Sequence, residues 1–150
     1  MKNIKKEIHN HLVKDLNQKV ETLKNSIKDT IEARNNDTKS SAGDKYETGR
    51  EMLQIEIQKN EIQLSKTLKT LKKLSNINIS KTSDIVEYGS LVLTNNGNYF
   101  ISIAYGKIEI ENNIFYSISL ASPLGKLLLN KKAGEHFTFQ EKEYTVLNIL

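Results

Sequence analysis

Asp37-Thr-Lys-Ser-Ser-Ala-Gly-Asp-Lys-Tyr-Glu47 is a short polar segment between two long stretches of helical periodicity. Before it, Ile8, Leu12, Leu16, Val20, Leu23, Ile27 and Ile31 recur in steps of four and three, and no Pro or Gly interrupts residues 1–42. After it, Leu53, Ile57, Leu64, Leu68 and Leu71 repeat the pattern. Such steps put the apolar side chains on one narrow stripe of a helix, the width of a coiled-coil seam. Each stretch is about 30 residues, or about 45 Å of helix. Neither helix buries enough apolar area to stand alone, so each is the other's core. With a linker of about ten residues, an antiparallel hairpin is the simplest way to join them.

The segment itself carries a close acidic pair, Asp44 and Glu47. One reading makes it a helix start. Ser41 is then the N-cap, Asp44 stands three residues on where its carboxylate meets free backbone N–H groups, and Glu47 is a first-turn acid favoured by the helix dipole. The other reading makes it a metal-binding or acid–base pair displayed at the tip. A spacing of three on a helix lets both carboxylates face one way. Two hard oxygen donors hold Mg²⁺ weakly and are too few for a self-sufficient site. The spacing leaves both readings open. Gly49, inside the first turns of the second helix, costs roughly 1 kcal/mol relative to alanine; close approach of the two helices, or of a partner, would account for it.

After Asn76 the pattern changes to short runs rich in Val, Ile, Tyr and Phe between turn residues. Ile85–Leu93, Tyr99–Tyr105, Lys107–Glu111 and Phe115–Leu120 read as strands, with hairpin turns at Asn95-Asn-Gly97 and Glu111-Asn-Asn113. Ser122-Pro123 reads as a helix start, with the chain's only proline at the first helical position. A short helix over Leu124–Asn130, closed near Ala133-Gly134, leads into strands Phe137–Gln140 and Tyr144–Leu150. The expected fold class is α+β: an antiparallel coiled-coil hairpin over residues 1–76, with its acidic tip near 37–47, then a small antiparallel-sheet domain with one helix over 77–150.

Charge divides the same way. Residues 1–76 hold 16 Lys and Arg against 11 Asp and Glu, whereas residues 77–150 hold 6 against 7. The basic excess belongs to the helical half, which suits a polyanionic partner. With no cysteine, neither a disulfide framework nor a thiolate metal site or nucleophile is possible. The N-terminus lacks the apolar run of a secretory signal, and no stretch nears the ~20 apolar residues that span a bilayer. A soluble, cytoplasmic protein without membrane contacts is expected. His9, His11 and His136 lack metal-site spacing, and no phosphate-binding glycine loop or Gly-x-Ser-x-Gly elbow is present.

Taken in order, these elements resemble the bacterial Gre transcript-cleavage factors (GreA/GreB). Ser122-Pro-Leu-Gly-Lys-Leu-Leu-Leu-Asn-Lys-Lys-Ala-Gly134 is similar to the family's S-P-[IL]-G-K-A-L-L-G-K-K-x-G-D segment. Tyr144-x-Val-x-x-Ile149 looks like its closing strand and Gly89-Ser-Leu-Val92 like its opening one. At the tip, Gly43-Asp-Lys-Tyr-Glu47 is similar to the family's G-D-x-x-E-N-A-E-Y, which carries the acidic pair over to Asp44 and Glu47. Thr48, Gly49, Arg50 and Glu51 stand where Asn, Ala, Glu and Tyr are usual.

The resemblance implies a transcription elongation factor with an FKBP-like C-terminal domain that docks on bacterial RNA polymerase at its secondary channel. The docking would use Ser122, Pro123, Leu124, Gly125 and Lys126. The coiled coil would deliver Asp44 and Glu47 to the polymerase active centre, where they help hold a Mg²⁺ shared with the polymerase. The polymerase then hydrolyses its own backtracked transcript. On this reading the chain is a monomer, is no enzyme alone and binds no cofactor stably. Its partners are the polymerase and the 3′ end of the nascent RNA, whose phosphates Arg34, Lys39, Lys45 and Arg50 could contact; otherwise each of these is a solvated coiled-coil flank. The altered residues 48–51 motivate an alternative, a non-catalytic secondary-channel regulator. A prolyl isomerase or chaperone rests on the FKBP-like expectation alone and lacks the tryptophan that commonly floors such pockets. A coiled-coil adaptor with no polymerase link leaves the Ser122–Gly134 match unexplained.

Overall fold

The structure of the chain, a computed structural model, describes the backbone of residues 3–37 and 44–150 and the side chains of 3–36 and 47–150. Helix α1 runs Ile4–Asp37 and α2 runs Asp44–Ser75. Six strands and one short helix follow: β1 Leu91–Thr94, β2 Gly97–Ile101, β3 Gly106–Ile110, β4 Asn113–Ile118, α3 Pro123–Leu128, β5 His136–Phe139 and β6 Lys142–Ile149. No described helix is long and apolar enough to cross a membrane.

The chain forms two compact units. One comprises Val13–Lys72; the other takes the residues up to Leu12 together with Lys73–Leu150. The first turns of α1 and the last of α2, which the sequence assigns to the hairpin, therefore belong with the sheet. The apolar content of these ends accounts for it, since Ile8, Leu12 and Leu74 are fully buried. His9 Nε2 lies 2.8 Å from the Leu74 carbonyl oxygen, and the His11 ring meets Tyr105 edge-on at 6.4 Å.

In the helical unit the seam follows the heptad spacing closely. Leu16 and Val20 on α1 and Ile57 on α2 are buried, with Leu23, Ile27, Ile31, Leu53, Leu64 and Leu71 half-buried. Two threonines share the seam. Thr30 and Thr67 are buried, and their hydroxyls donate to the carbonyls of Ser26 (2.7 Å) and Gln63 (2.8 Å) one turn back. Thr67 thereby takes the place the sequence gives to Leu68, which is 46% exposed. Heptad steps of three and four from Leu64 reach Thr67 and Leu71, so Leu68 falls one position off the stripe.

The sheet order is β3-β4-β2-β1-β6-β5. Four of its junctions are antiparallel, as expected, but β2 pairs with β4 in parallel, Tyr99 opposite Tyr116 and Ile101 opposite Ile118. The chain leaves β2, skips one strand position, runs back as β3 and returns through a two-residue turn as β4 in the gap. Glu111 and Asn112 make that turn with φ of 50° and 67°, the left-handed geometry of a tight hairpin.

Two strands are shorter than expected. The run Ile85–Leu93 becomes a strand only at Leu91; Ile85 makes a lone bridge to Lys132, and the chain turns at Tyr88-Gly89. Gly89 has φ +93°, and a Cβ there would come 3.0 Å from Ile77 Cγ2, so both its backbone and its neighbour demand glycine. The run Tyr99–Tyr105 ends at Ile101, where Ser102 N–H still bonds the Ile118 carbonyl at 2.9 Å as part of the parallel pairing before the chain bends over 102–104.

Strand alternation splits the apolar residues into two layers. Val92, Tyr99, Ile101, Tyr144 and Val146 face Val86 and Leu128, with Leu124 and Phe137 packed against the group. Leu91 and Phe100, opposite one another on the other face, are also fully buried.

Candidate functional sites

The loop side of the hairpin is the first candidate. Lys39 and Ser41, and the side chains of Asp44 and Lys45, lie outside the described residues, as does the choice between cap and acidic pair. Glu47, in the first turn of α2, is exposed. It shares a helix face with Arg50, Glu51 and Gln54, at spacings of three, four and seven, and together they line an open depression of about 520 Å³. Gln54 Oε1 accepts a 2.6 Å hydrogen bond from Arg34 Nη1, tying α1 to α2. The buried Arg34 Nε has no hydrogen-bond partner among the described residues. Arg34 is thus largely a strut across the hairpin, whereas Arg50 lies exposed.

Glu47 offers a hard oxygen donor on a helical support, suited in kind to Mg²⁺. Among the described residues no group of three or more His, Cys, Asp or Glu could hold a metal ion. Any cation held by Glu47 and Asp44 would need further ligands from elsewhere.

The second candidate is the segment from Ser122. Ser122 has extended φ and ψ of −68° and 154°, and its Oγ accepts the Gly125 N–H at 3.0 Å while donating to the Ser119 carbonyl at 2.7 Å. Pro123 follows at the first turn, where a missing N–H costs nothing. Six residues later the helix ends at Leu129, well before the expected closure at Ala133-Gly134. Gly125 is buried, and a Cβ on it would sit 2.1 Å from the Ser119 carbonyl oxygen. Leu124 and Leu128 point into the core.

Of the five residues expected at a docking face, Ser122 and Gly125 therefore build the helix and Leu124 anchors it, leaving Pro123 and Lys126 exposed. Leu127 and Leu129, 36% and 37% exposed, join them and were not singled out in the sequence. An apolar run through a short helix does not by itself say which of its leucines face out. Ser122→Ala is expected to cost about 1 kcal/mol, the usual worth of an N-cap, read as a lowered urea midpoint with an unchanged slope.

A third feature escaped the sequence altogether. Tyr99, Tyr116, Tyr144, Ile114 and Phe139 line an open cleft of about 520 Å³ on the sheet. Tyr99 stacks on Tyr116 at 5.8 Å, and Phe137 on Tyr144 at 5.1 Å. Burial, reinforced by the side-chain hydrogen bond to Tyr144, pushes the Tyr99 phenol above its ordinary value. Its hydroxyl donates to the Asn96 carbonyl at 2.8 Å.

No protein-family model and no curated protein matches the chain. Among solved structures, one described as the structure of the transcription factor Gfh1 aligns over 91% of this chain and 92% of that one, at 22% identity and a TM-score of 0.35. At that level the likeness carries no argument about what this chain does.

Proposed function

We propose that the chain is an RNA polymerase-binding transcription factor of the Gre type. In this reading its sheet domain docks on the polymerase and its helical hairpin reaches the catalytic centre through the secondary channel. The observation that carries the reading is the Ser122–Gly134 segment. The residues that match the Gre pattern build a capped helix, and Pro123 and Lys126 remain exposed beside Leu127 and Leu129. The helical hairpin and the exposure of Glu47 in the first turn of α2 support the reading.

In the proposed mechanism Asp44 and Glu47 act as two oxygen ligands presented to the polymerase active centre. A Mg²⁺ held there jointly with polymerase carboxylates would polarise the scissile phosphate and lower the pKa of the attacking water. The helix fixes the backbone that carries Glu47, which limits the entropy lost on engagement. Arg50, exposed one turn further along α2, would offset phosphate charge in this reading. Arg34, already bonded to Gln54, orders the hairpin that carries them. Alone, the chain supplies too few ligands for hydrolysis and is expected to cleave nothing.

A second reading, a regulator that occupies the channel without stimulating cleavage, is favoured by Thr48, Gly49, Arg50 and Glu51, which depart from the Gre pattern directly after Glu47. A stalled, backtracked elongation complex separates the two. A cleavage factor releases short 3′ RNA fragments within the time in which the polymerase alone releases few. A regulator binds as tightly, releases none and lowers initiation from a promoter template. Absence of polymerase binding altogether would overturn both.

A further inference from the structure

We propose that the cavity beside Lys5 is a binding site for a small oxyanion, with inorganic phosphate as its simplest occupant. The cavity measures about 250 Å³ and is walled by Lys5, Asn78, Lys81, Ser83, Glu87 and Ser90, among others. Lys5 is only 7% exposed although lysine is among the residues least often buried. Its ammonium has three donors, of which one goes to the Lys81 carbonyl oxygen at 3.0 Å.

A buried ammonium calls for a counter-charge. Glu87, the one carboxylate in the wall among the described residues, is held by Lys81 Nζ at 2.8 Å. Two ammonium groups thus face one carboxylate, and the excess positive charge sits on the more buried lysine. Burial lowers the Lys5 pKa below its ordinary value, an effect that Glu87 only partly offsets.

The neutral groups in the wall point the same way. Ser90 Oγ accepts the Glu87 N–H at 3.0 Å and Ser83 Oγ accepts the Ile85 N–H at 3.3 Å. With those acceptor positions taken, each hydroxyl is left with its proton to give. Asn78 Oδ1 accepts the Ser80 N–H at 3.1 Å, which likewise leaves its amide N–H groups as donors. The wall is therefore rich in donors and carries a surplus positive charge, the composition that suits an anion with several acceptor oxygens. Carboxylates share that chemistry with less charge and fewer acceptors.

The full chain, ¹⁵N-labelled, is titrated with phosphate and separately with acetate, at constant ionic strength balanced by chloride. The backbone amides of Gly89 and Ser90 are followed. In parallel, acylation of Lys5 by a water-soluble active ester is measured by peptide mass against exposed Lys126. The site predicts saturable shifts at Gly89 and Ser90 and slowing of Lys5 acylation, relative to Lys126, of about tenfold. Lys5→Met should weaken the binding at least about tenfold. Saturation by acetate but not phosphate would keep the oxyanion site and assign it to carboxylates.

Shifts that never saturate, or Lys5 acylation unchanged by either anion, would overturn the proposal. So would undiminished binding by a folded Lys5→Met variant. Should that variant fail to fold, the acylation of the wild-type chain decides alone.

Discussion

Replacing Asp44 and Glu47 together by alanine is expected to cut RNA release from a backtracked polymerase complex about 100-fold while leaving polymerase affinity within about twofold. The asymmetry follows from where each contact is made. In the proposed reading the Ser122 segment does the docking, whereas the two carboxylates would meet the polymerase only around the catalytic ion. Glu47 is exposed, so its removal should not disturb the fold. Quench-flow cleavage with labelled RNA, beside equilibrium binding of the same protein, gives both numbers. Equal loss of binding and cleavage would move the acids to the docking interface. A variant that retains full cleavage would leave the capping-box reading of Asp44 standing.

Gly125→Ala should be the most destabilising single methyl in the sheet domain. The new Cβ would lie 2.1 Å from the Ser119 carbonyl oxygen and 2.8 Å from Ser122 Oγ. That carbonyl cannot retreat cheaply, because it accepts both Ser122 N–H at 3.1 Å and Ser122 Oγ–H at 2.7 Å. Relief requires unseating α3, and with it Leu124 and Leu128, from the core. An overpacking cost of about 3 kcal/mol is expected, equivalent to a fall in Tm of at least about 12 °C for a unit of this size. Circular dichroism against temperature measures it. A fall of less than about 2 °C would mean that α3 can slide without cost. The same variant should weaken polymerase binding, because Pro123 and Lys126 ride on the displaced helix.

The hairpin was legible because its signal is periodic and local: Leu16, Val20 and Ile57 lie where steps of three and four put them. The tight turns at Asn95–Gly97 and Glu111–Asn113, and the capped start at Ser122-Pro123, were legible for the same reason. What the sequence hid depends on partners far along the chain. The parallel pairing of β2 with β4 joins Tyr99 to Tyr116 across an intervening strand, and nothing within Tyr99–Tyr105 announces it. Val86 reads as part of a strand but is buried beside Leu128, with Gly89 bending the chain before pairing begins. Leu68 reads as seam and Thr67 as surface until the hydroxyl finds the Gln63 carbonyl.

The candidate site was legible unevenly. The Ser122 segment announces itself as a motif, but composition could not sort its builders, Ser122 and Gly125, from its exposed residues, Pro123 and Lys126. Arg34 looked like one more flanking cation until Gln54 appeared 2.6 Å away across the hairpin. Lys5 carried no signal at all, since a lysine near a helix start is ordinarily solvated.

Placing the loop end of the hairpin at the polymerase catalytic centre is the central claim, and a photo-crosslinker at position 47 tests it without depending on cleavage. In a backtracked complex carrying labelled RNA, the account predicts crosslinks to the 3′ end of the transcript and to polymerase segments that hold the catalytic Mg²⁺. A bound factor whose crosslinks fall only on the outer surface of the polymerase would contradict it.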